Sequence, residues 1–129
     1  MNLLVYLSPG WQEAWGGLLG LWSQRADLKG PGELQKKIAP LFNRAVLFDT
    51  TQGSWHGLPD PIDCPQGKTR NSVAVYYLCE PRVEAEPRGK ALFAPYKEQA
   101  QDADVLELIK RRSDVNLAAS VYGDKPAPR

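Results

Sequence analysis

The stretch that decides the fold is Arg70-Asn71-Ser72-Val73-Ala74-Val75-Tyr76-Tyr77-Leu78. From Val73 to Tyr77 it consists of small, β-branched and aromatic residues, and it is the strongest strand pattern in the chain. If side chains alternate along this strand, Arg70 and Ser72 lie on one face, where a guanidinium and a hydroxyl together can receive a carboxylate. The alternative is that Arg70 is a solvated residue at the start of the strand. Spacing alone does not decide between these interpretations.

Shorter β-type segments precede this strand and are separated by turn residues. The segment from Ser23 to Lys37 is polar and contains Gly30-Pro31-Gly32, so we predict a loop there. Asn43 tolerates a positive φ and is suited to the corner between two of the segments. Sequential strands without helices between them predict an antiparallel sandwich or open barrel. The predicted early strands are Leu3–Leu7, Leu18–Trp22, Lys37–Pro40, Arg44–Phe48 and Ser54–His56.

The character of the chain changes after Pro81. Residues 82–96 are rich in Pro, Ala and charges, which predicts irregular structure. Residues 102–112 then place apolar side chains at helical spacing, and either Asp102 or Asp104 can cap the helix. We therefore expect a β domain over residues 1–80, followed by an extension over residues 81–129 whose helix, at about 102–112, packs on the same domain.

Length and charge exclude several classes of protein. The chain has 129 residues, enough for one domain, with 16 Lys and Arg against 15 Asp and Glu. A net charge of +1 argues against nucleic-acid binding, which requires clustered cations. The apolar run from Met1 to Gly10 is too short for a membrane span and lacks a basic leader, so we expect no membrane partner and a cytoplasmic location. Cys64 and Cys79 lack the further ligands of a zinc site.

The sequence contains one histidine, His56, in the run Ser54-Trp55-His56-Gly57-Leu58-Pro59. At the end of a short strand, its ring could reach a barrel mouth, or it could be an ordinary hydrogen-bonded loop residue. Tyr6 similarly either packs half-buried on its strand or adds a phenol to a pocket shared with Arg70. Nearby carboxylates that could accompany His56 on a metal are those of Asp49, Asp60 and Asp63.

Together these motifs resemble the 2-oxoglutarate and Fe(II)-dependent oxygenases of the prolyl 4-hydroxylase-like group. The resemblance runs from Asn2 to Tyr77, and parts of the tail also look like bacterial members. It implies a mainly β fold: a partial double-stranded β-helix, jelly-roll or cupin-like, of antiparallel strands with a C-terminal α-helix. The segments that carry it are Asn2–Leu7, Trp15–Gly17, Pro40–Phe48, Ser54–Pro59 and Arg70–Tyr77.

The resemblance also implies roles for single residues. His56 looks like the distal histidine of the iron site, and Arg70 like the residue that pairs with the C5 carboxylate of 2-oxoglutarate. Ser72 would assist Arg70, and Tyr6 is a weaker candidate for the same pocket. The implied cofactors are Fe(II) and the co-substrate 2-oxoglutarate, with a peptide or small molecule as the hydroxylated substrate. No residue of this chain is assigned a catalytic role beyond binding.

One departure from the family pattern concerns the metal. Family members carry a His-x-Asp pair before the segment matching Asn2–Leu7, and here only Met1 precedes it. We therefore expect an N-terminally incomplete oxygenase domain, whose activity as an enzyme on its own is uncertain because one histidine cannot complete a two-histidine, one-carboxylate face. The alternative is a non-catalytic β-barrel binding or assembly module. Missing strands would leave unpaired edges, which favours a homodimer.

Overall fold

The computed structural model describes residues 1–51, 53–77, 80, 83–84, 92–95 and 97–113. The chain divides into two compact units, Met1–Ala85 and Glu86–Arg129. The first unit contains two antiparallel sheets of three strands each, and the second contains the helix. The prediction of a mainly β, partial jelly-roll fold with a C-terminal helix is confirmed.

Two sheets contain the six described strands, which are β1 (Asn2–Tyr6), β2 (Leu19–Gln24), β3 (Pro31–Ile38), β4 (Ala45–Phe48), β5 (Trp55–Gly57) and β6 (Ser72–Tyr76). The first sheet has the order β4-β1-β6 and the second the order β3-β2-β5. A short 3-10 helix, Glu13–Trp15, lies between β1 and β2.

Strand β1 is the centre of the first sheet. Tyr6 lies opposite Ser72 of β6, and Asn2 lies opposite Phe48 of β4. The Phe48 ring contacts His56 of the second sheet, so the face that carries Asn2, Phe48 and Tyr6 points toward the other sheet. Among the residues that the structure describes, the buried apolar core is small and contains Tyr6, Trp11, Leu18, Leu19, Ala39 and Pro40.

The predicted loop from Ser23 to Lys37 is wrong over most of its length. Strand β2 continues to Gln24, and β3 begins at Pro31 and pairs with β2 through two register irregularities. Because β3 is an edge strand, most of its side chains are exposed and it needs little apolar patterning. Proline is tolerated as the first residue of such a strand. The predicted corner at Asn43 is confirmed, with φ at 61°.

The second unit contains one described α-helix, α1 (Ala103–Ser113), after a 3-10 turn at Lys97–Gln101. Asp102 caps the helix, since its Oδ1 accepts the backbone N–H groups of Asp104 and Val105 at 3.0 and 3.2 Å. Packing of this helix on the β domain stays a prediction. Cys79 and most of the segment predicted to be irregular lie outside the described residues. Among the residues described, no helix is long and apolar enough to cross a membrane.

Candidate carboxylate-binding site

Arg70 lies just before β6 and is half-buried. Its Nε–H donates to the carbonyl oxygen of Gly17 at 2.7 Å, and its Cζ lies 5.1 Å from the centre of the Tyr6 ring. Stacking on an aromatic face and a hydrogen bond through Nε together hold a guanidinium in one plane. Arg70 is therefore a fixed cation rather than a solvated side chain at the start of a strand.

Tyr6 is fully buried, and its hydroxyl has no hydrogen-bond partner within the described part of the chain. Burial raises the pKa of Tyr6 above its usual value. The positive charge of Arg70, a contact of its side chain with the hydroxyl that lacks hydrogen-bond geometry, and the positive charge of Arg44 oppose this effect. The phenol is therefore neutral at physiological pH and retains its proton as a donor. A buried, unpartnered hydroxyl beside a fixed guanidinium fits an oxygen ligand such as a carboxylate.

Ser72 lies opposite Tyr6 across the β1–β6 ladder. The next cross-strand pair, Leu7 and Asn71, is hydrogen-bonded, because the Leu7 N–H donates to the carbonyl of Asn71. Tyr6 and Ser72 thus form a non-bonded pair, in which side chains on the same face approach most closely. Ser72 is exposed, so it lies at the rim beside the buried Tyr6.

A second serine, which the sequence reasoning did not identify, holds the backbone around Arg70. The Ser8 hydroxyl donates to the carbonyl of Thr69 and accepts the N–H of Asn71, both at 2.7 Å. Ser8 is almost completely buried. The sequence Ser8-Pro9-Gly10 predicted only a turn. The role of the Ser8 hydroxyl was missed because its partners are more than 60 residues away in sequence.

His56 lies on β5 opposite Leu21, and its ring packs edge-on against Phe48 with a centroid distance of 4.8 Å. The residue is exposed overall, but partial burial of the ring lowers the pKa of His56, and a hydrogen bond to the backbone of Ser54 partly offsets this shift. Phe48 pairs with Asn2, which is four residues from Tyr6 along β1. About 13 Å of extended chain therefore separates the Tyr6 end of this inner face from the Asn2 end, where Phe48 contacts His56.

The donor set around His56 does not fit an iron ion by itself. No group of three or more His, Cys, Asp or Glu that could hold a metal occurs among the described residues. Of the nearby carboxylates, Asp60 pairs with Lys37 at 2.6 Å, and Asp49 accepts the N–H of Thr50. The structure thus brings together Arg70, Tyr6 and Ser72, whereas the predicted metal ligand His56 lacks partners suited to Fe(II) in this part of the chain.

An open cleft of about 540 Å³ lies elsewhere, between the β3 and β4 sides of the two sheets. Its lining includes the cations Lys36, Lys37 and Arg44 and contains none of the predicted site residues. Arg44 donates to the carbonyl of Ala39 at 3.0 Å, and Lys37 pairs with Asp60. Two of the three cations are thus engaged within the protein.

The fold and the Tyr6–Arg70 pair define an antiparallel β-sandwich protein with a candidate anion site against its inner face. The sequence model of the 2OG-Fe(II) oxygenase superfamily matches residues 1–103 of the 129. The chain therefore belongs to this superfamily. It is also 26% identical over 142 aligned residues to prolyl 3-hydroxylase OGFOD1 of Xenopus laevis, an alignment that covers 95% of this chain and 27% of that protein. No solved structure matches the chain.

Proposed function

We propose that this chain is the 2-oxoglutarate-binding part of a Fe(II)-dependent oxygenase of the prolyl hydroxylase type. The observation that carries the proposal is the buried Tyr6 hydroxyl, without a partner in the described residues, beside the fixed guanidinium of Arg70. Membership of the superfamily supports 2-oxoglutarate as the ligand. The two side chains are also chemically suited to this ligand, because a guanidinium and a phenol hydroxyl can both donate hydrogen bonds to one carboxylate group.

In this proposal, the C5 carboxylate of 2-oxoglutarate lies between Arg70 and Tyr6. Arg70 donates from its Nη groups, and Tyr6 donates its hydroxyl proton to the second side of the same carboxylate. Ser72, at the rim, contributes a weaker hydrogen bond. A five-carbon diacid lying along the inner face of β1 would then extend from Tyr6 toward the end where Phe48 meets His56.

The proposed reaction class is hydroxylation of a peptide or small molecule. Support comes from the distant relative, which is named a prolyl 3-hydroxylase. The chain spans 27% of that protein's length, so the relative's substrate is carried over only as a proposal. The loops that border the inner face are where we expect the substrate to be selected.

Iron binding is proposed to require ligands from outside this chain. His56 is the single histidine in the sequence, and a 2-His-1-carboxylate face needs two. We therefore assign His56 as one ligand and derive no chemical step through the metal. The contribution assigned to this chain is to bind and orient the co-substrate.

A second candidate function is a carboxylate-binding module without a metal centre. The lack of a metal-ligand cluster among the described residues favours it. The module would use the same Tyr6 and Arg70 contacts, so the two candidates differ only in iron chemistry. Both predict that the chain binds 2-oxoglutarate.

The experiment is an anaerobic calorimetric titration of the full chain with 2-oxoglutarate, with 2-oxobutyrate as the control ligand that lacks the second carboxylate. Binding of 2-oxoglutarate at least tenfold tighter than 2-oxobutyrate is expected under either candidate. Equal binding, or none, would overturn both.

Iron distinguishes the two candidates. The oxygenase candidate predicts that the genomic DNA encodes His-x-Asp in frame upstream of Met1. A chain that includes that pair should show a metal-to-ligand charge-transfer band with Fe(II) and 2-oxoglutarate, and should release succinate in air. Binding of 2-oxoglutarate without an upstream pair, a band or succinate would overturn the oxygenase candidate and support the binding module.

A further inference from the structure

We propose that Gly17 is the positioning residue for the carboxylate anchor and that it determines which end of the Arg70 guanidinium meets the ligand. The Gly17 carbonyl oxygen accepts the Nε–H of Arg70 at 2.7 Å. The inference rests on the proposed function insofar as the ligand of Arg70 is a carboxylate. The geometry that positions Arg70 stands independently of any ligand.

An arginine can grip a carboxylate through two different edges. One edge presents Nε and one Nη, and the other presents both Nη groups. The bond to Gly17 occupies Nε, so a carboxylate can receive two parallel hydrogen bonds only from the two Nη groups. The Tyr6 ring, 5.1 Å from Cζ, fixes the plane in which those groups lie. End-on recognition through Nη1 and Nη2 follows from these two restraints.

The backbone at Gly17 is suited to this task because no side chain intrudes. Its φ is +70°, a left-handed conformation that L-residues rarely adopt. A Cβ at this position would lie 2.8 Å from Cδ of Arg70 and 3.2 Å from its Nε. Any larger residue would therefore displace Arg70 from its bond to the carbonyl.

The segment that carries Gly17 is itself held on both sides. Gly16 N–H donates to the carbonyl of Glu13 at 3.0 Å, and the indole N–H of buried Trp11 donates to the carbonyl of Gly16 at 3.1 Å. Asp63 N–H donates to the carbonyl of Trp15 at 3.0 Å. These bonds hold the backbone that leads into Gly17, so we assign Trp11 as a positioning residue one step further from the ligand.

The test compares Gly17→Ala with Gly10→Ala in the full chain. Gly10 has a φ of +68°, and a Cβ at that position would have no neighbouring atom within 4 Å, so its substitution carries the same backbone strain without touching Arg70. Gly17→Ala should weaken 2-oxoglutarate binding at least tenfold, whereas Gly10→Ala should change it less than twofold. Equal losses in the two variants would overturn the proposal, because strain alone would then explain them.

A second readout needs no ligand. The signal of the Arg70 Nε–H in ¹⁵N spectra of arginine side chains is assigned by its disappearance in Arg70→Lys. This proton should exchange slowly with water in the native chain and in Gly10→Ala. It should exchange rapidly in Gly17→Ala. Rapid exchange in the native chain would overturn the positioning role. A native chain with slow exchange but no 2-oxoglutarate binding would overturn the proposed function while leaving the position of Arg70 intact.

Trp11→Phe is the variant to use if Gly17→Ala does not fold. Phenylalanine keeps an aromatic ring against Trp15, whose ring lies 5.4 Å from that of Trp11, but cannot donate to Gly16. We expect exchange of the Arg70 Nε–H to accelerate and 2-oxoglutarate binding to weaken severalfold. If the Arg70 Nε–H exchanges equally slowly in Trp11→Phe, the hydrogen bond from Trp11 to Gly16 does not help to position Gly17, and the role given to Trp11 is wrong.

Discussion

At the residue scale, the chemistry of the site rests on a hydroxyl that the fold leaves unpartnered. Tyr6 is 0% exposed, yet its oxygen has no hydrogen-bond partner in the described structure. Leaving a buried polar group without a partner costs about 1–3 kcal/mol. A residue that lowers stability in this way is typical of a binding site, because the ligand later supplies the missing partner.

Tyr6→Phe should therefore separate stability from binding. Removing the hydroxyl should raise the free energy of unfolding by about 1 kcal/mol, since the buried oxygen disappears and the ring remains. Binding of 2-oxoglutarate should weaken about tenfold, the equivalent of one lost hydrogen bond. Urea unfolding and calorimetry measure the two quantities.

Tyr76→Phe is the matched control, because Tyr76 is 64% exposed and should change neither quantity. A Tyr6→Phe variant that loses stability and binds the ligand as tightly as the native chain would contradict the role of the hydroxyl.

At the element scale, the turn between β2 and β3 contains a strained residue. Leu28 has a φ of 59° and is 73% exposed, so it gains little from packing. The turn closes through bonds from Arg25 N–H to Gly30 and from Leu28 N–H to Arg25. The side chain of Asp27 accepts Arg25 Nε and Lys29 N–H at 2.7 and 3.0 Å. The turn thus imposes a left-handed conformation on a leucine.

Leu28→Gly should stabilise the chain. A left-handed conformation costs an L-residue roughly 1–2 kcal/mol, and glycine avoids that cost while losing more backbone entropy on folding. The net gain should be about 0.5–1 kcal/mol in the free energy of unfolding, measured in urea. Lys29→Gly, next to it but without a positive φ, should lose stability by a similar amount. A loss in both variants would show that Leu28 is not strained.

The elements also show what could be predicted from the sequence. Strands β1, β4 and β6 were predicted from the sequence because they carry the β-branched and aromatic residues that are typical of strands. Strand β3 was missed because an exposed edge strand keeps its Glu, Gln and Lys residues and begins with Pro-Gly. Arg70 and Tyr6 were proposed from residue type, but their contact depends on the β1–β6 register, which no local pattern encodes. The part played by Gly17 was missed because a backbone carbonyl carries no sequence signal.

At the scale of the whole molecule, the first sheet presents an apolar outer face and an unpaired edge. Within the described residues, β6 pairs with β1 on one side only. Its sequence, Ser-Val-Ala-Val-Tyr, contains neither charge nor proline, the devices that usually block strand addition. Three outward residues, Leu47, Val73 and Tyr77, are 56%, 48% and 54% exposed. The outer face is formed by Leu3, Val5, Leu7, Ala45, Leu47, Val73, Val75 and Tyr77.

We expect the isolated chain to dimerise by antiparallel pairing of two β6 strands. Tyr77 N–H and the carbonyl of Asn71 bond toward β1, so by alternation the N–H of Ala74 points to the free edge. Ala74→Pro should remove that donor, keep the β1–β6 ladder and yield a monomer in light scattering. Ala74→Ser keeps the N–H and should remain dimeric. A native chain that is monomeric at high concentration, or an Ala74→Pro chain that still dimerises, would contradict pairing through β6.

The most direct test of the central claim is the affinity of Arg70→Ala for 2-oxoglutarate, measured by calorimetry alongside its free energy of unfolding. Loss of a fixed, charged partner of a carboxylate costs about 3 kcal/mol, so binding should weaken roughly 100-fold. The control is Arg25→Ala, which removes an exposed arginine paired with Asp27 and should bind normally. A folded Arg70→Ala chain that binds 2-oxoglutarate as tightly as the native chain would contradict the account.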